Sequence, residues 1–414
     1  MTETGDPSVE PARIYQQIHQ FANRANPYGL YAELRQTPVV KLENGAYVVN
    51  TYEHIVALLH DPRISSDQRN LAHPPATAPL PPSFIITDPP EHDRLRGLAM
   101  RHFGPPHSPL VVENMRGELQ ELVKELIDGI ADRKQADIVD DVAYPFPVTV
   151  ICRLLGVPRE DESKFHVWAD EVVETLGPGE GDQEERIQRR QAAQLALAGY
   201  LGELAQARRE NPRDDLLSGL VTYHGPEGSM SEIEVMTTSV LLLIAGHETT
   251  VNLITNGMLT LLRNPGLLYR LREEPDLVIG AVEELLRFEP PVHFLPQRVA
   301  LDDITVAGVT IPKGANIILA LASGSRDPEH VTDPDRFDPD RPYIQHLGFG
   351  GGIHICFGAP LARLEAQVAL RQLAKRLVNP RLVTDPPPYR PSSTLRGPRH
   401  LPITYDGVLP YEGP

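Results

Sequence analysis

The chain has 414 residues, a formal net charge of −17 and a pI near 5.3. Binding to nucleic acid needs clustered Lys and Arg side chains, so this acidic balance argues against a nucleic-acid-binding protein. The two cysteines, Cys152 and Cys356, lie far apart and offer no disulfide framework, which is typical of a protein in a reducing cytosol.

Neither a signal peptide nor a membrane span is indicated by the sequence. The first residues, MTETGDPSVEPAR, contain no basic segment followed by an apolar one. The most hydrophobic segment, at 240–246, is far shorter than the ~20 apolar residues that cross a bilayer. We therefore expect a cytoplasmic protein that does not associate with membranes.

The first quarter of the chain predicts a helix, a hairpin and a long loop. Residues 1–15 are expected to be flexible, and a helical pattern then runs to Leu34. Asn44 and Gly45, between two short β-prone runs, predict a hairpin with a type I′ turn. The proline-rich segment 65–83 has no periodicity and predicts a long loop, and such loops are often functional.

A helix with two basic side chains on one face is predicted next. Asp88 is expected to be its N-cap, with prolines in the first turn and Glu91 at the reciprocal capping position. His92 and Arg96 then fall at positions i and i+4. On a buried face this pair implies an anionic partner, whereas on an exposed face it implies nothing.

A long central helix is predicted from a capping box at Ser231 and Glu234 to about Arg263. Its middle reads AGHETT, at 245–250. A glycine inside a helix costs about 1 kcal/mol relative to alanine, so another interaction should compensate. A zinc site of the HExxH type is excluded because position 251 is Val. Glu248 and Thr249 are then either an ordinary buried polar pair or a proton-handling site.

The last third predicts a helix with EELLRFEP, a β-rich segment at 298–321 and a proline-rich loop. Glu284 and Arg287 lie at i and i+3, as in many surface ion pairs. A final helix follows to Leu377. Because the sequence has no repeat and no linker, we predict one mainly α domain with small β-sheets over residues 16–414.

The loop GFGGGIHICFG, at 348–358, carries one of the two cysteines among five glycines. Neither GxGxxG nor GxxxxGK[ST] fits it, and the further ligands of a zinc site are missing. An inert buried cysteine remains one interpretation. The other is a thiolate, since a following helix lowers a thiol pKa and glycines allow a close approach to a planar group, which suits axial ligation of haem iron.

The motifs together resemble those of the cytochromes P450. FGGGIHICFG at 349–358 resembles the haem-ligand motif FGxGxHxCxG, and LARLE follows at 361–365 as it does in that family. AGHETT resembles the oxygen-binding motif AGx[DE]T, and EELLR resembles ExxR. The chain is identified as a member of this family, of the soluble, bacterial, ferredoxin-dependent type. The resemblance implies the P450 fold, with haem b between the long central helix and the cysteine-bearing loop.

The resemblance also implies roles for single residues. Cys356 would ligate the haem iron. Ala245 and Gly246 would leave room for dioxygen, Thr249 would hydrogen-bond it, and Glu248 would connect the site to solvent protons. The other expected haem contacts are the propionate donors His92, Arg96, Arg298 and His354, together with Phe349. The expected structural charge cluster is Glu284, Arg287 and Arg336, the last from PDRF. The expected substrate contacts are Phe84, Ile85, Leu242, Ala245, Val292, Phe294, Leu295, Thr394 and Leu395.

The implied activity is that of a monooxygenase that inserts one oxygen atom from O2 into a lipophilic small molecule of secondary metabolism. Electrons would come from NAD(P)H through a ferredoxin reductase and a ferredoxin, since the chain has no flavin or nucleotide motif. The protein is expected to be a monomer. The ferredoxin would dock on the proximal face, near the cysteine loop, where five basic residues are candidates: Arg101, Arg363, Arg371, Lys375 and Arg376.

Two alternatives stay open. The same haem can serve peroxide-driven oxidation, desaturation or oxidative coupling, although the Glu248–Thr249 pair favours dioxygen activation. A haem protein that senses or carries a ligand without turnover makes little use of that pair.

Overall fold

The computed structural model of the protein describes residues 9–74, 81–104, 108, 110–174 and 182–413. The chain folds into two compact units. We call residues 1–77, 280–356 and 389–397 the sheet unit, and residues 78–279, 357–388 and 398–414 the helical unit. The prediction of one domain over 16–414 stays a prediction.

Helices dominate the described residues, as the sequence predicts. The α-helices are α1 Val9–His19, α2 Tyr28–Leu34, α3 Tyr52–His60, α4 Glu91–Met100, α5 Val111–Asn114, α6 Arg116–Asp128, α7 Pro145–Leu155, α8 Glu162–Glu174, α9 Gln183–Glu210, α10 Leu216–Thr222, α11 Glu232–Arg263, α12 Pro265–Glu273, α13 Leu277–Phe288, α14 Leu321–Gly324 and α15 Ala359–Arg376. Short 3₁₀ turns include Phe84–Ile86 and Gly352–His354, and a π-helical turn covers Val139–Ala143.

The strands are short and form small sheets. They are β1 Val39–Lys41, β2 Tyr47–Val49, β3 Ile64–Ser65, β4 Gln135–Asp137, β5 Leu295–Ala300, β6 Ile304–Val306, β7 Val309–Ile311, β8 Asn316–Leu319, β9 Leu377–Val378, β10 Arg381–Leu382, β11 Pro402–Thr404 and β12 Gly407–Val408. Four of them lie within the predicted β-rich segment 298–321 or begin just before it.

The sheet unit is built on five strands in the order β1-β2-β8-β5-β3. All neighbours are antiparallel except β2 and β8, whose parallel register pairs Tyr47 with Ile317. One face of the sheet packs on α3 through a core that includes Ile55 and Leu58. Side chains of α1 and α2 form a second core with Val48 and Ile318.

The predicted hairpin exists, but its turn type was wrong. Strands β1 and β2 pair with Lys41 opposite Tyr47. Gly45 has a φ of +83°, whereas Asn44 has no positive φ, and the Gly45 N–H donates to the Leu42 carbonyl over 3.0 Å. This is a type I turn followed by a left-handed glycine, which suits a three-residue loop.

The helical unit is organised around α11, which packs against α7, α9 and α15. The predicted capping box is confirmed: the Glu234 N–H donates to Ser231 Oγ, and the Glu234 carboxylate accepts from the Ser231 N–H. The helix ends at Arg263 as predicted. A three-stranded sheet of β10, β11 and β4 and the pair β12-β9 complete this unit.

One prediction about an element start was wrong. Helix α1 begins at Val9, so residues 9–15 are helical rather than flexible, while residues 1–8 lie outside the described ranges. The start of α4 lies close to the predicted N-cap, Asp88. That helix begins at Glu91, and the Asp88 backbone carbonyl accepts from the His92 N–H over 3.0 Å.

Part of the predicted loop 65–83 is ordered locally. Residues 68–70 form a 3₁₀ turn capped by the Asp67 side chain, and residues 75–80 lie outside the described ranges. Among the described residues, no helix combines the length and the apolar character needed to cross a membrane.

We expect His19 to make the stability of the fold sensitive to acid. Its Nδ1 lies 2.6 Å from Ser393 Oγ, and its ring stacks on Phe294. Burial, with a smaller effect from Arg24, lowers the pKa of His19 to about 4. The unfolded chain takes up this proton near pH 6.5, so the free energy of unfolding should fall between about pH 6.5 and 4, by about 3 kcal/mol.

Replacing His19 by Gln should flatten that slope in urea unfolding measured from pH 7 to pH 4. Replacing the exposed His60 by Gln is the matched control and should leave it as in the wild type. An unchanged slope in the His19→Gln variant would contradict this account.

Candidate functional site

The cysteine loop is a tight turn that leaves Cys356 exposed. The Cys356 N–H donates to the Phe349 carbonyl over 2.9 Å, and the Gly350 N–H donates to the Leu347 carbonyl over 2.8 Å. Between them, residues 352–354 form a 3₁₀ turn. The backbone of the loop therefore folds back on itself and holds the cysteine at its end.

Two glycines of this loop, Gly348 and Gly352, are required by neighbours inside the sheet unit. A Cβ at Gly348 would lie 2.8 Å from the Leu286 carbonyl oxygen, and one at Gly352 would collide with the Leu59 carbonyl. Gly350 and Gly352 also have φ values of +67° and +64°, which side chains rarely adopt. The sequence suggested a close approach to a planar group, and the structure adds tight packing of the loop on α3 and α13.

The two cysteines differ in accessibility. Cys152 lies in α7 with its side chain fully buried, and burial, with a smaller effect from Glu162, raises the pKa of its thiol to about 12. A buried protonated thiol is unreactive, so the exposed Cys356 is the thiol suited to bind a metal.

A buried charge cluster holds the chain before the cysteine loop. Both oxygens of the Glu284 carboxylate accept from Arg287 over 2.7 Å. Glu284 Oε1 also accepts from Arg341 Nε over 3.1 Å and from the Asp338 N–H over 2.9 Å. The predicted Glu284–Arg287 pair is therefore internal and structural rather than a surface pair.

The prediction of Arg336 as the third member of this cluster was wrong. Its side chain is 62% exposed and pairs with Asp333 and Asp338 over 2.9 and 2.8 Å. Only its backbone carbonyl takes part, accepting from Arg287 and Arg341. Arg341, five residues further along, turns its guanidinium inward instead.

Two of the segments expected to contact substrate pair with each other in the sheet unit. Val292 and Leu395 form an isolated antiparallel bridge, and the His293 N–H donates to the Thr394 carbonyl over 2.8 Å. Val292, Leu295 and Leu395 are partly exposed. Phe294 is 1% exposed and packs on the rings of Tyr15, His19 and Tyr31, so it belongs to the core rather than to a binding surface.

The sheet unit contains three of the residues expected to contact haem, Arg298, His354 and Phe349. Arg298, on β5, is half-buried and donates to the Gln297 carbonyl over 2.7 Å. His354 lies half-buried in the cysteine loop, and the Phe349 ring meets the His346 ring edge-on at 5.7 Å. None of these side chains is fully exposed.

In the helical unit, the middle of α11 carries a buried acid beside an accessible hydroxyl. Glu248 is 1% exposed, and its Oε1 accepts from Asn252 Nδ2 over 3.1 Å. Thr249 is half-buried and donates from Oγ1 to the Ala245 carbonyl over 2.7 Å. Gly246 lies where α11 approaches α7 closely, since a Cβ there would lie 3.4 Å from Ile151 Cδ1.

An open stripe runs along the middle of this mostly buried helix. Leu241, Ala245 and Thr249, at i, i+4 and i+8, are partly or fully exposed. Leu242, which the sequence put among the substrate contacts, is 8% exposed and faces the core of the unit. Leu241 was missed, and its position four residues before Ala245 was the signal that identifies it.

Helix α4 carries His92 and Arg96, the other two residues expected to donate hydrogen bonds to an anionic group. His92 is 2% exposed, with Nδ1 2.8 Å from the Asp93 carboxylate, and Arg96 is half-buried. The Arg96 guanidinium lies 5.9 Å from the centroid of the Phe357 ring. The helix face is therefore buried at His92, which is the condition under which the sequence implied an anionic partner.

Phe84 and Ile85 have different surroundings. The Phe84 side chain is 2% exposed and packs on Phe357, whose ring stacks on Phe103 at 4.7 Å. Phe84 is thus part of an aromatic cluster within the helical unit. Ile85 is 43% exposed and remains available for contact with a ligand.

The basic residues expected to attract a ferredoxin are partly engaged elsewhere. Arg376 is 3% exposed and binds Asp128 and the Leu409 carbonyl, so it was wrongly included. Arg101 pairs with Glu227 and lies over the Tyr223 ring. Arg363 and Arg371 remain half-buried on α15.

The chain is similar in sequence to known proteins over most of its length. A family model described as cytochrome P450 matches residues 183–399. The chain is 40% identical over 395 residues to cytochrome P450 monooxygenase PikC of Streptomyces venezuelae, covering 92% of this chain and 91% of that protein. It is 36% identical over 401 residues to 6-deoxyerythronolide B hydroxylase of Saccharopolyspora erythraea, covering 92% and 96%.

Solved structures are similar over nearly the whole chain. Ligand-free CYP164A2 of Mycobacterium smegmatis matches with a TM-score of 0.87 and 40% identity, covering 95% of this chain and 100% of that one. P450BioI in complex with acyl carrier protein carrying hexadec-9Z-enoic acid matches with a TM-score of 0.84 and 35% identity, covering 93% and 99%.

Two variants test whether Arg341, rather than Arg336, is the second arginine that neutralises Glu284. Replacing Arg341 by Ala leaves the buried Glu284 under-neutralised and should lower the free energy of unfolding by about 2 to 4 kcal/mol. Replacing the exposed Arg336 by Ala should cost less than about 1 kcal/mol. Urea unfolding followed by circular dichroism measures both, and a larger loss in the Arg336→Ala variant would refute the assignment.

Proposed function

The chain belongs to the cytochrome P450 family, and on that premise we propose that Cys356 ligates the haem iron of a monooxygenase acting on a lipophilic secondary metabolite. The observation that carries this proposal is the accessible hydroxyl of Thr249 beside the buried carboxylate of Glu248, on the open stripe of α11. Activation of dioxygen needs delivered protons, which an acid and a neighbouring alcohol supply.

The residues present fit a haem. Cys356 is exposed, whereas the thiol of Cys152 is buried with a raised pKa. The two carboxylates of a haem require hydrogen-bond donors, because a buried charge without partners is costly. The proposed donors are His92, Arg96, Arg298 and His354. When bound, the haem supplies dioxygen activation, to which a thiolate ligand contributes electron density.

Glu248 and Thr249 would then manage protons. Asn252 holds one oxygen of the Glu248 carboxylate in a fixed position. The Thr249 hydroxyl donates its hydrogen bond to the Ala245 carbonyl, so its oxygen is oriented to accept a hydrogen bond from a group on the open side of the helix. Glu248 takes protons from solvent and passes them on beside Thr249. Ala245 has the small side chain needed for a ligand to lie against this part of the helix.

The substrate is proposed to be a polyketide-derived lipophile. Relatives that share 34 to 38% identity include polyketide biosynthesis cytochrome P450 PksS, 6-deoxyerythronolide B hydroxylase and mycinamicin IV hydroxylase/epoxidase. The partly exposed side chains in the expected substrate-binding segments are mostly apolar, as a lipophilic ligand requires. They are Ile85, Leu241, Ala245, Val292, Leu295 and Leu395.

Electrons are proposed to reach the haem from NAD(P)H through a ferredoxin and its reductase. The sequence contains no flavin-binding or nucleotide-binding motif of its own. Because Arg376 is buried, Arg363 and Arg371 are the better candidates for contact with an acidic ferredoxin.

Replacing Thr249 by Ala tests the proton-handling role. With NADPH, a surrogate ferredoxin pair and 6-deoxyerythronolide B as the probe substrate, we expect the wild type to couple electron use to product. In the Thr249→Ala variant, electrons should appear as hydrogen peroxide, and product formed per NADPH should fall by at least about tenfold.

Thr250 provides the matched control for that variant. It lies next to Thr249, but its side chain is buried, so Thr250→Ala should remain coupled. Full coupling in Thr249→Ala would contradict the proposed relay. Equal product formation by both threonine variants with hydrogen peroxide alone would favour the peroxide-driven alternative.

A further inference from the structure

We propose that Arg396 is a positioning residue that sets the shape of the substrate-binding wall formed by residues 291–295 and 394–395. The inference rests on the proposed function, which makes these segments a binding surface. Arg396 itself is 1% exposed and does not touch the substrate. It acts by fixing the backbone on which the apolar contact residues stand.

The two segments of this wall are joined by backbone hydrogen bonds. The His293 N–H donates to the Thr394 carbonyl, and the Arg396 N–H donates to the Pro291 carbonyl, both over 2.8 Å. Val292 and Leu395 form the bridge between these two bonds. Arg396 is therefore the residue at which the second segment is attached to the beginning of the first.

At the bridge itself, neighbouring side chains differ in burial. Val292 and Leu395 are partly exposed, whereas His293 and Arg396 are buried. A strand that has one buried face and one open face depends on its register, because a shift by one residue exchanges the two faces. A single isolated bridge specifies register weakly, so the buried side chains must hold it.

The guanidinium of Arg396 supplies that hold through four contacts. Nε donates to the Arg24 carbonyl and Nη2 to the Ala25 carbonyl, both over 2.8 Å. Nη2 also lies 3.3 Å from the Tyr389 hydroxyl, and Nη1 binds the Glu289 carboxylate. These partners come from three separate parts of the sheet unit, so the planar group fixes them in one arrangement.

Glu289 anchors the first segment to the same group. It lies two residues before Pro291 and also accepts from the Tyr28 hydroxyl over 3.0 Å. Burial alone would raise the pKa of this carboxyl, but Arg396 and Arg326 lower it below its usual value. Glu289 is therefore charged, and a charged carboxylate binds a guanidinium more strongly than a neutral one.

A lysine at position 396 could not make the same four contacts. An ammonium group has no planar fork and is too compact to reach four partners in different directions. Arg396→Lys keeps the charge opposite Glu289 but should release the contacts to the Arg24 and Ala25 carbonyls. We expect the wall to lose its fixed register while the fold is retained.

The test uses full-length haem-loaded protein and two azole probes whose binding changes the haem absorption spectrum. Econazole is large and contacts the walls of a binding cavity, whereas imidazole is too small to do so. In Arg396→Lys the dissociation constant of econazole should rise about tenfold, and that of imidazole should change by less than about twofold.

Arg208→Lys is the matched control. Arg208 is also a buried arginine, paired with Asp215 over 2.7 Å, but it belongs to the helical unit and not to either wall segment. It should lose stability without changing the ratio of the two dissociation constants. Glu289→Gln is the second variant, and it decides the question if Arg396→Lys yields no haem-loaded protein.

The outcomes are distinct. Wild-type ratios in both Arg396→Lys and Glu289→Gln would overturn the inference, as would an equal change of the ratio in Arg208→Lys, which would reveal a general loss of stability. Failure of the wild-type protein to bind imidazole at a haem would instead count against the proposed function itself.

Discussion

The burial of the Glu284 carboxylate is the interaction on which the rest of the site depends. A buried carboxylate without partners would be strongly destabilising, so two arginines and a backbone N–H must surround it. Arg287 and Arg341 in turn donate to carbonyls of the loop at 325–336. One acid thus fixes the irregular chain that leads to the cysteine loop, which has few strand or helix hydrogen bonds of its own.

A second buried charge, Glu289, organises another part of the sheet unit in the same way. Glu289 follows Glu284 closely in sequence, yet it faces Arg396 and Arg326 and holds the chain at 389–397. Both carboxylates act in the same way. Each binds arginine side chains, and these arginines also donate to backbone carbonyls, which fixes loop segments that hydrophobic packing alone would not hold in one conformation. Apolar side chains are then free to be exposed at Val292 and Leu395, where a ligand is proposed to bind.

Much of the fold and site was predictable because local patterns specify them. The capping box at Ser231 and the Asn264–Pro265 end of α11 depend only on neighbouring residues, and the structure confirms both. The predictions that failed depend on tertiary packing. The correct choice between Arg336 and Arg341 depends on the path of a loop in which Asp333 has a left-handed φ of +52°. Neighbouring residues in the sequence do not specify that path. Choosing Leu242 over Leu241 is an error of one residue, which on a helix is a rotation of about 100°.

The central claim is that Cys356 is the thiolate ligand of a haem, and the carbon monoxide difference spectrum of the reduced protein tests it most directly. Wild-type protein and the Cys152→Ser variant should both show the long-wavelength band that a thiolate ligand produces. The Cys356→Ser variant should lack it. Retention of that band in Cys356→Ser, or its loss in Cys152→Ser alone, would contradict the account.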